Sequence, residues 1–171
     1  MTMSRSTSSV PFSYGGEEAL FDQIEADLKV LGGRATYLGT DTGAPMLYDV
    51  ALLDILWSTL AGYLHALALV GTAGVSAADF LPYAKAWVEH VALPSLEGKA
   101  AEVDAGDYAT EVSTLDVNKA AIAHLIEGCN AQGISADLVL PIQTLIDQRV
   151  AEGHGAESLG SMIEAIRKPP A

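Results

Sequence analysis

The chain has 171 residues, half of them apolar, and 22 acidic against nine basic side chains give it a formal net charge of −13. That length suits one domain with a proper core, and such acidity argues against nucleic acid or an anionic membrane as a partner. A single cysteine, Cys129, excludes an intramolecular disulfide and any multi-cysteine metal site, and it is consistent with a reducing cytoplasm.

In chain order, the leader MTMSRSTSS (1–9) lacks the apolar core of a secretory signal and reads as disordered. VPFSYGG (10–16) alternates like a short strand and stops at Gly15-Gly16. EEALFDQIEADLKVLGG places Leu20, Ile24, Leu28 and Leu31 at helical spacing, with acids in its first turn and Gly32-Gly33 as its stop. ATYLG (35–39) is a second short strand, so 10–39 forms a strand-helix-strand unit with no further sheet behind it. Two strands make a poor sheet, and their edges need to be covered or paired across molecules.

The chain is organised around the stretch from Thr40 to Gly74, which after Pro45 holds no further proline and almost no charge. It reads as one helix of about 28 residues, roughly 42 Å long. At about 100° per residue, Leu53, Leu56, Leu60 and Leu67 fall within about 40° of Asp49, which puts a carboxylate in an apolar stripe. Asp54, Ser58, Ala61, Gly62 and His65 line the opposite side, where another backbone can approach closely. With no plainly solvated face, the helix needs cover from the rest of the chain and from a second copy of it. Asp49, Asp54, Ser58 and His65 interrupt the run and argue against a membrane span.

The remainder reads as helix. Ser76 with Asp79 makes a variant capping box for a helix carrying Phe80, Tyr83, Ala84, Trp87 and Val91 on one face, disturbed at its end by Pro94. The chain is then helical up to a loop around Gly106. Further helices are expected from Ser113 to about Gln132, from Ser135 with a bend or restart near Pro141 to Gly153, and over ESLGSMIEAIRK. The fold class is therefore mainly α: a helical bundle on one long central helix, forming an intertwined homodimer, with domains 1–9 (leader), 10–39 (β-α-β remnant) and 40–171 (helical).

YLGTDTGAPMLYDVALLDILW, AGYLHALALVGTAGVSAADFLPYAKAW, LDVNKAAIAHLIEGCNAQGISADL and RVAEGHG, in this order, resemble the C-terminal helical domain of bacterial imine reductases, in the β-hydroxyacid dehydrogenase superfamily. The resemblance covers roughly residues 10–168. That family opens with a dinucleotide-binding Rossmann domain, whose glycine-rich turn sets a helix N-terminus against the pyrophosphate. Gly15-Gly16 and Gly32-Gly33 are isolated pairs with no GxGxxG, and residues 10–39 look like only the last strand, helix and strand of such a domain. Alone, the chain is expected to have no cofactor-binding residues, and to use NADPH only if another chain supplies the Rossmann domain.

The resemblance implies a homodimer in which each helical domain wraps the partner's long helix, and it sets Asp49 on the position of a proton donor or anchor for an imine nitrogen. The apolar stripe independently disfavours the charged carboxylate, as a general acid requires, whereas a bound iminium would favour it. The competing reading is a buried acid bonded to a backbone amide or to a basic residue of the partner. Leu53, Trp57, Tyr83 and Trp87 are candidate substrate-binding residues, each also readable as core; Trp57 lies about 80° round the helix from Asp49 and two turns on. Tyr63 is too far along to cooperate directly. His65 and His124 read as satisfied core or interface residues and His154 as a turn or cap residue, while Glu89 and His90 are weaker pocket candidates. No HxxxH, HExxH or cysteine pair supports a metal, and no Gly-x-Ser-x-Gly elbow supports a nucleophile.

Three functions from different classes follow. The first is cofactor-free acid/base chemistry by Asp49 on an imine, enamine or iminium (cyclase, isomerase or dehydratase type), which requires a closed cavity. The second is the substrate-binding and dimerisation half of an NADPH-dependent imine reductase, which predicts an exposed apolar patch around residues 10–40. The third is a non-catalytic dimeric binding module. A polar leader after Met1 suggests a chain able to stand alone, which favours the first narrowly.

Overall fold

The computed structural model describes residues 11–30 and 34–167. The leader, Leu31, Gly32-Gly33 and the segment after Arg167 lie outside the described residues. The chain divides into two compact units, Met1–Leu60 and Ala61–Ala171.

In the first unit, β1 (Pro11–Tyr14), α1 (Glu18–Val30) and β2 (Arg34–Tyr37) form the expected strand-helix-strand unit, with β1 and β2 paired in parallel from Pro11 opposite Arg34 to Tyr14 opposite Tyr37. Leu38 N–H donates to the Tyr14 carbonyl and Gly16 N–H to the Gly39 carbonyl, extending the ladder past the strands. α1 is fastened by Phe21, whose ring meets Tyr14 at 5.9 Å and Tyr37 at 5.4 Å. The Tyr37 hydroxyl donates to the Gly16 carbonyl at 2.7 Å. Among the described residues of this unit none is buried.

α2 (Ala44–Gly71) is the long helix, 28 residues as the sequence requires, and it passes from the first unit into the second. None of its residues is buried within the chain. By length and composition alone it is long and apolar enough to cross a membrane, although Asp49 and Asp54 sit within it.

In the second unit Ser76 caps α3 (Ala77–Trp87) by accepting from Asp79 N–H at 3.1 Å, as the capping-box reading expects. The disturbance expected from Pro94 takes a definite form. Proline has no N–H, so the α-helical ladder cannot continue through it, and residues Val88–Ala92 widen into a π turn in which Leu93 N–H reaches the Val88 carbonyl. α4 (Leu93–Ala105) resumes with Pro94 in its first turn and ends at Gly106, left-handed at φ 62°, whose N–H satisfies Glu102 and Val103 carbonyls.

α5 (Leu115–Ala131) begins two residues later than expected, because Thr114 is the cap that accepts Val117 N–H. α6 (Leu140–Arg149) begins at Leu140, not at Ser135: residues 134–136 are irregular and 137–139 form a turn, and Pro141 sits in the first turn of the helix, where its missing N–H costs nothing. A π turn (Val150–His154) closes α6 at Gly153, φ 94°. A 3-10 turn (Leu159–Ser161) leads into α7 (Met162–Arg167). α6 packs against both α5 and α7. Every buried apolar residue among those described belongs to this unit, centred on Leu115, Cys129 and Ile146, each with no exposed surface.

Candidate functional site

The start of α2 is set by a tight corner. Asp41 Oδ1 accepts Gly43 N–H at 2.8 Å and turns the chain into the helix. The Asp41 carbonyl approaches Gly15, at the end of β1, so closely that no Cβ could be accommodated there. This corner holds the first turns of α2 beside β1 and opens a groove of about 560 Å³ between them. Phe12 and Ser13 from β1, Thr42 and Pro45 from the corner, and Met46, Tyr48, Asp49, Leu52, Leu53 and Leu56 from α2 line it. Asp49 is the one ionisable carboxylate in that lining. It is exposed, as are Leu53 and Leu56 one and two turns along, so the groove is open to solvent rather than closed.

Of the residues selected from sequence, Asp49 and Leu53 therefore meet in one groove, through their four-residue spacing. Trp57 is outside the lining, 65% exposed on α2. Tyr83 and Trp87 belong to the second unit, on α3, with 73% and 67% of their surface exposed. Phe12 and Ser13 were not anticipated, since only the parallel pairing of β1 and the Gly15 corner bring them to Asp49. Leu56 was visible as a member of the apolar stripe.

The second unit holds a separate polar network. Arg149, 5% exposed, donates to Glu152 at 2.9 Å and to Glu157 at 2.8 Å, and His154 Nδ1 lies 2.7 Å from Glu157. Burial pushes the Glu157 carboxyl up, but bonds from His154 and Arg149 prevail and hold it below its ordinary value. Lys99 and the buried Ser158 both donate to Glu102, which lowers the Glu102 carboxyl. Tyr108 donates to Glu164 at 2.7 Å, lowering Glu164 and raising the tyrosine. These pairs, with Ser158 N–H on the Tyr108 carbonyl and Leu115 N–H on the Glu157 carbonyl, clamp the segment after α4 to the turn before α7. His154 thus sits in a turn, as its sequence context suggests. His65 Nε2 lies 2.9 Å from the Ser135 carbonyl and so carries a proton toward it, with the Cys129 sulfur 3.7 Å away. Among the described residues no cluster of three or more His, Cys, Asp or Glu is placed to hold a metal.

Residues 41–168 match the C-terminal domain of the NADPH-dependent reductive aminase-like proteins. The chain belongs to that family. An NADPH-dependent reductive aminase of Aspergillus oryzae is 38% identical over 158 residues, covering 90% of this chain and 53% of the relative. A reductive aminase of Aspergillus terreus, solved with NADPH4, cyclohexanone and allyl amine, superposes with a TM-score of 0.81 at 34% identity, over 91% of this chain and 52% of its own. The imine reductase BcSIRED of Bacillus cereus superposes with a TM-score of 0.85 at 29% identity, over 95% and 57%. This member of the reductive aminase-like family thus spans about half the length of the relatives it matches. The described residues supply two parallel strands and no glycine-rich dinucleotide turn. The residues present do not fit NADPH by themselves.

Proposed function

We propose that this chain is the substrate-binding and dimerisation half of an NADPH-dependent imine reductase or reductive aminase, with Asp49 as the group that meets the nitrogen. One observation carries the reading: a lone carboxylate stands in an apolar groove, on the long helix of a chain that matches the C-terminal domain of enzymes named for that chemistry. Hydride chemistry belongs to the nucleotide half. Asp49, as the carboxylate, pairs with a protonated imine or iminium; as the acid, it supplies a proton to nitrogen. Leu53 and Phe12 present the apolar surface for the substituents. Trp57, Tyr83 and Trp87 remain candidate substrate contacts through their exposed rings. Cofactor-free catalysis has less support, because it needs a groove closed to water and Asp49 is exposed.

A second copy of the chain is the proposed cover for α2. No α2 residue is buried within the chain, while Met46, Leu47, Val50, Ile55, Trp57 and Leu64 are each more than half exposed. That is a far larger apolar stripe than a monomer leaves in water. Sedimentation equilibrium is expected to give a dimer, and Ile55→Glu with Leu64→Glu to give monomer or aggregate; a monodisperse wild-type monomer would remove the argument. A lone reduced cysteine and an acidic chain agree with a cytoplasmic location.

The test of the reading is a fusion of this chain behind the nucleotide-binding half of the Aspergillus oryzae enzyme, assayed for NADPH consumption with cyclohexanone and allyl amine. Asp49→Asn is expected to lower kcat/KM by about 10² to 10⁴ with NADPH affinity unchanged. Equal rates in the two fusions would remove Asp49 from the chemistry.

A further inference from the structure

We infer that the groove selects imines and iminium ions carrying one elongated hydrocarbon substituent, laid along α2 from Asp49 to Leu56, and that Leu56 sets the length accepted. The inference rests on the proposed function and names the substrate class of that same site.

Helical geometry orders the lining. At about 100° and about 1.5 Å per residue, Asp49 and Leu56 point within about 20° of each other and stand roughly 10 Å apart along the axis of α2. Leu52 lies between them, and Tyr48 and Leu53 flank this line on either side. From Asp49 toward Leu56 every α2 side chain in the lining is aliphatic. Leu60, one turn further and within about 40° of Leu56, is 43% exposed but lies outside the lining, so the groove ends at Leu56.

The other direction is short. Pro45 stands only about 6 Å from Asp49 along the axis, and there Thr42 and the Gly15 corner close the groove. Asp49 is the one carboxylate in the lining, so a cationic nitrogen is fixed near the closed end. Its larger apolar substituent has room in one direction only, over Leu52 and Leu56. Leu47 and Val50, which a second copy is proposed to cover, point about 180° and about 120° away from Leu56. Substituent and partner copy therefore use different sides of the helix.

The experiment measures dissociation constants of butyl-, hexyl-, octyl- and decylammonium chloride for the unfused chain by isothermal titration calorimetry, the ammonium group standing in for the iminium nitrogen. Each methylene up to octyl is expected to tighten binding by about twofold, half the free energy of full burial because the groove is open on one side. Decylammonium should bind no tighter than octylammonium. Leu56→Ala, a change favourable to an exposed helix, should remove the gain of about fourfold between hexyl and octyl and leave butylammonium unchanged. Leu60→Ala should change nothing, and Asp49→Asn should weaken every member by the same factor. Binding that keeps tightening through decyl, or that Leu60→Ala weakens as much as Leu56→Ala, would mean apolar adhesion along α2 and overturn the inference. Absence of binding at any length, or a series flat from butyl to decyl, overturns it as well. The proposed function is decided separately, by the effect of Asp49→Asn in the fusion with cyclohexanone and allyl amine, where no chain length varies.

Discussion

Replacing Arg149 by methionine would test whether the polar network of the second unit holds its fold together. Arg149 is 5% exposed and donates to both Glu152 and Glu157, whose side chains keep 30% exposure each. Methionine fills much of the same volume but leaves two carboxylates close together without the guanidinium between them. Removing one partner of a fully buried pair costs about 3–5 kcal/mol. Because these carboxylates still reach water, the loss is discounted to about 2–3 kcal/mol. At about 2–4 °C per kcal/mol for a chain of this size, Tm should fall by about 4–12 °C. Arg149→Lys keeps the charge and loses the two-pronged geometry, so it should fall between. Differential scanning calorimetry at fixed protein concentration reads the shift. A fall under about 2 °C for Arg149→Met would refute the claim that this network is structural.

Two further outcomes follow from the same geometry. Glu102, Glu157 and Glu164 all have carboxyls lowered in the folded chain, so their contribution is present above the unfolded value near 4.3 and is lost as pH falls through the lower folded values. Tm should therefore drop on acidification from about pH 5 to pH 3, with a shallower slope when Glu157 is replaced by Gln; a Tm that rises on acidification would contradict the assignment. Gly15→Ala sets a Cβ against the Asp41 carbonyl and within 3.1 Å of Pro45 Cδ, and overpacking of this kind costs about 1–3 kcal/mol. Its Tm should fall and the start of α2 should lose hydrogen-exchange protection, whereas unchanged protection would show that the corner yields easily.

The long helix was legible because a proline start, no further proline through Gly74 and a glycine-rich end leave little else for that stretch to be. Capping by Ser76 was equally local, whereas the start of α5 was placed at Ser113, two residues early, because the adjacent hydroxyl of Thr114 is the one that caps. The non-helical stretch 134–139 escaped the reading because Ser135 looks like a cap; instead its hydroxyl accepts Asp137 N–H and its carbonyl is taken by His65, a partner 70 residues away. The π turn before Pro94 follows from proline chemistry, but sequence showed only that something had to give. At the candidate site, Asp49, Leu53 and Leu56 share a face by spacing alone. Phe12 and Ser13 reach them through strand pairing and a glycine corner, neither of which periodicity encodes.

The central claim is that Asp49 serves a reduction whose hydride comes from a nucleotide half, not a cofactor-free conversion. The most direct measurement offers cyclohexanone and allyl amine with NADPH deuterated at the transferring position to the fusion, and a cyclic imine without NADPH to the unfused chain, reading both by mass spectrometry. The account predicts one deuterium at the former carbonyl carbon of the amine formed by the fusion, and no conversion by the chain alone. Conversion of the imine by the unfused chain, abolished by Asp49→Asn, would contradict it.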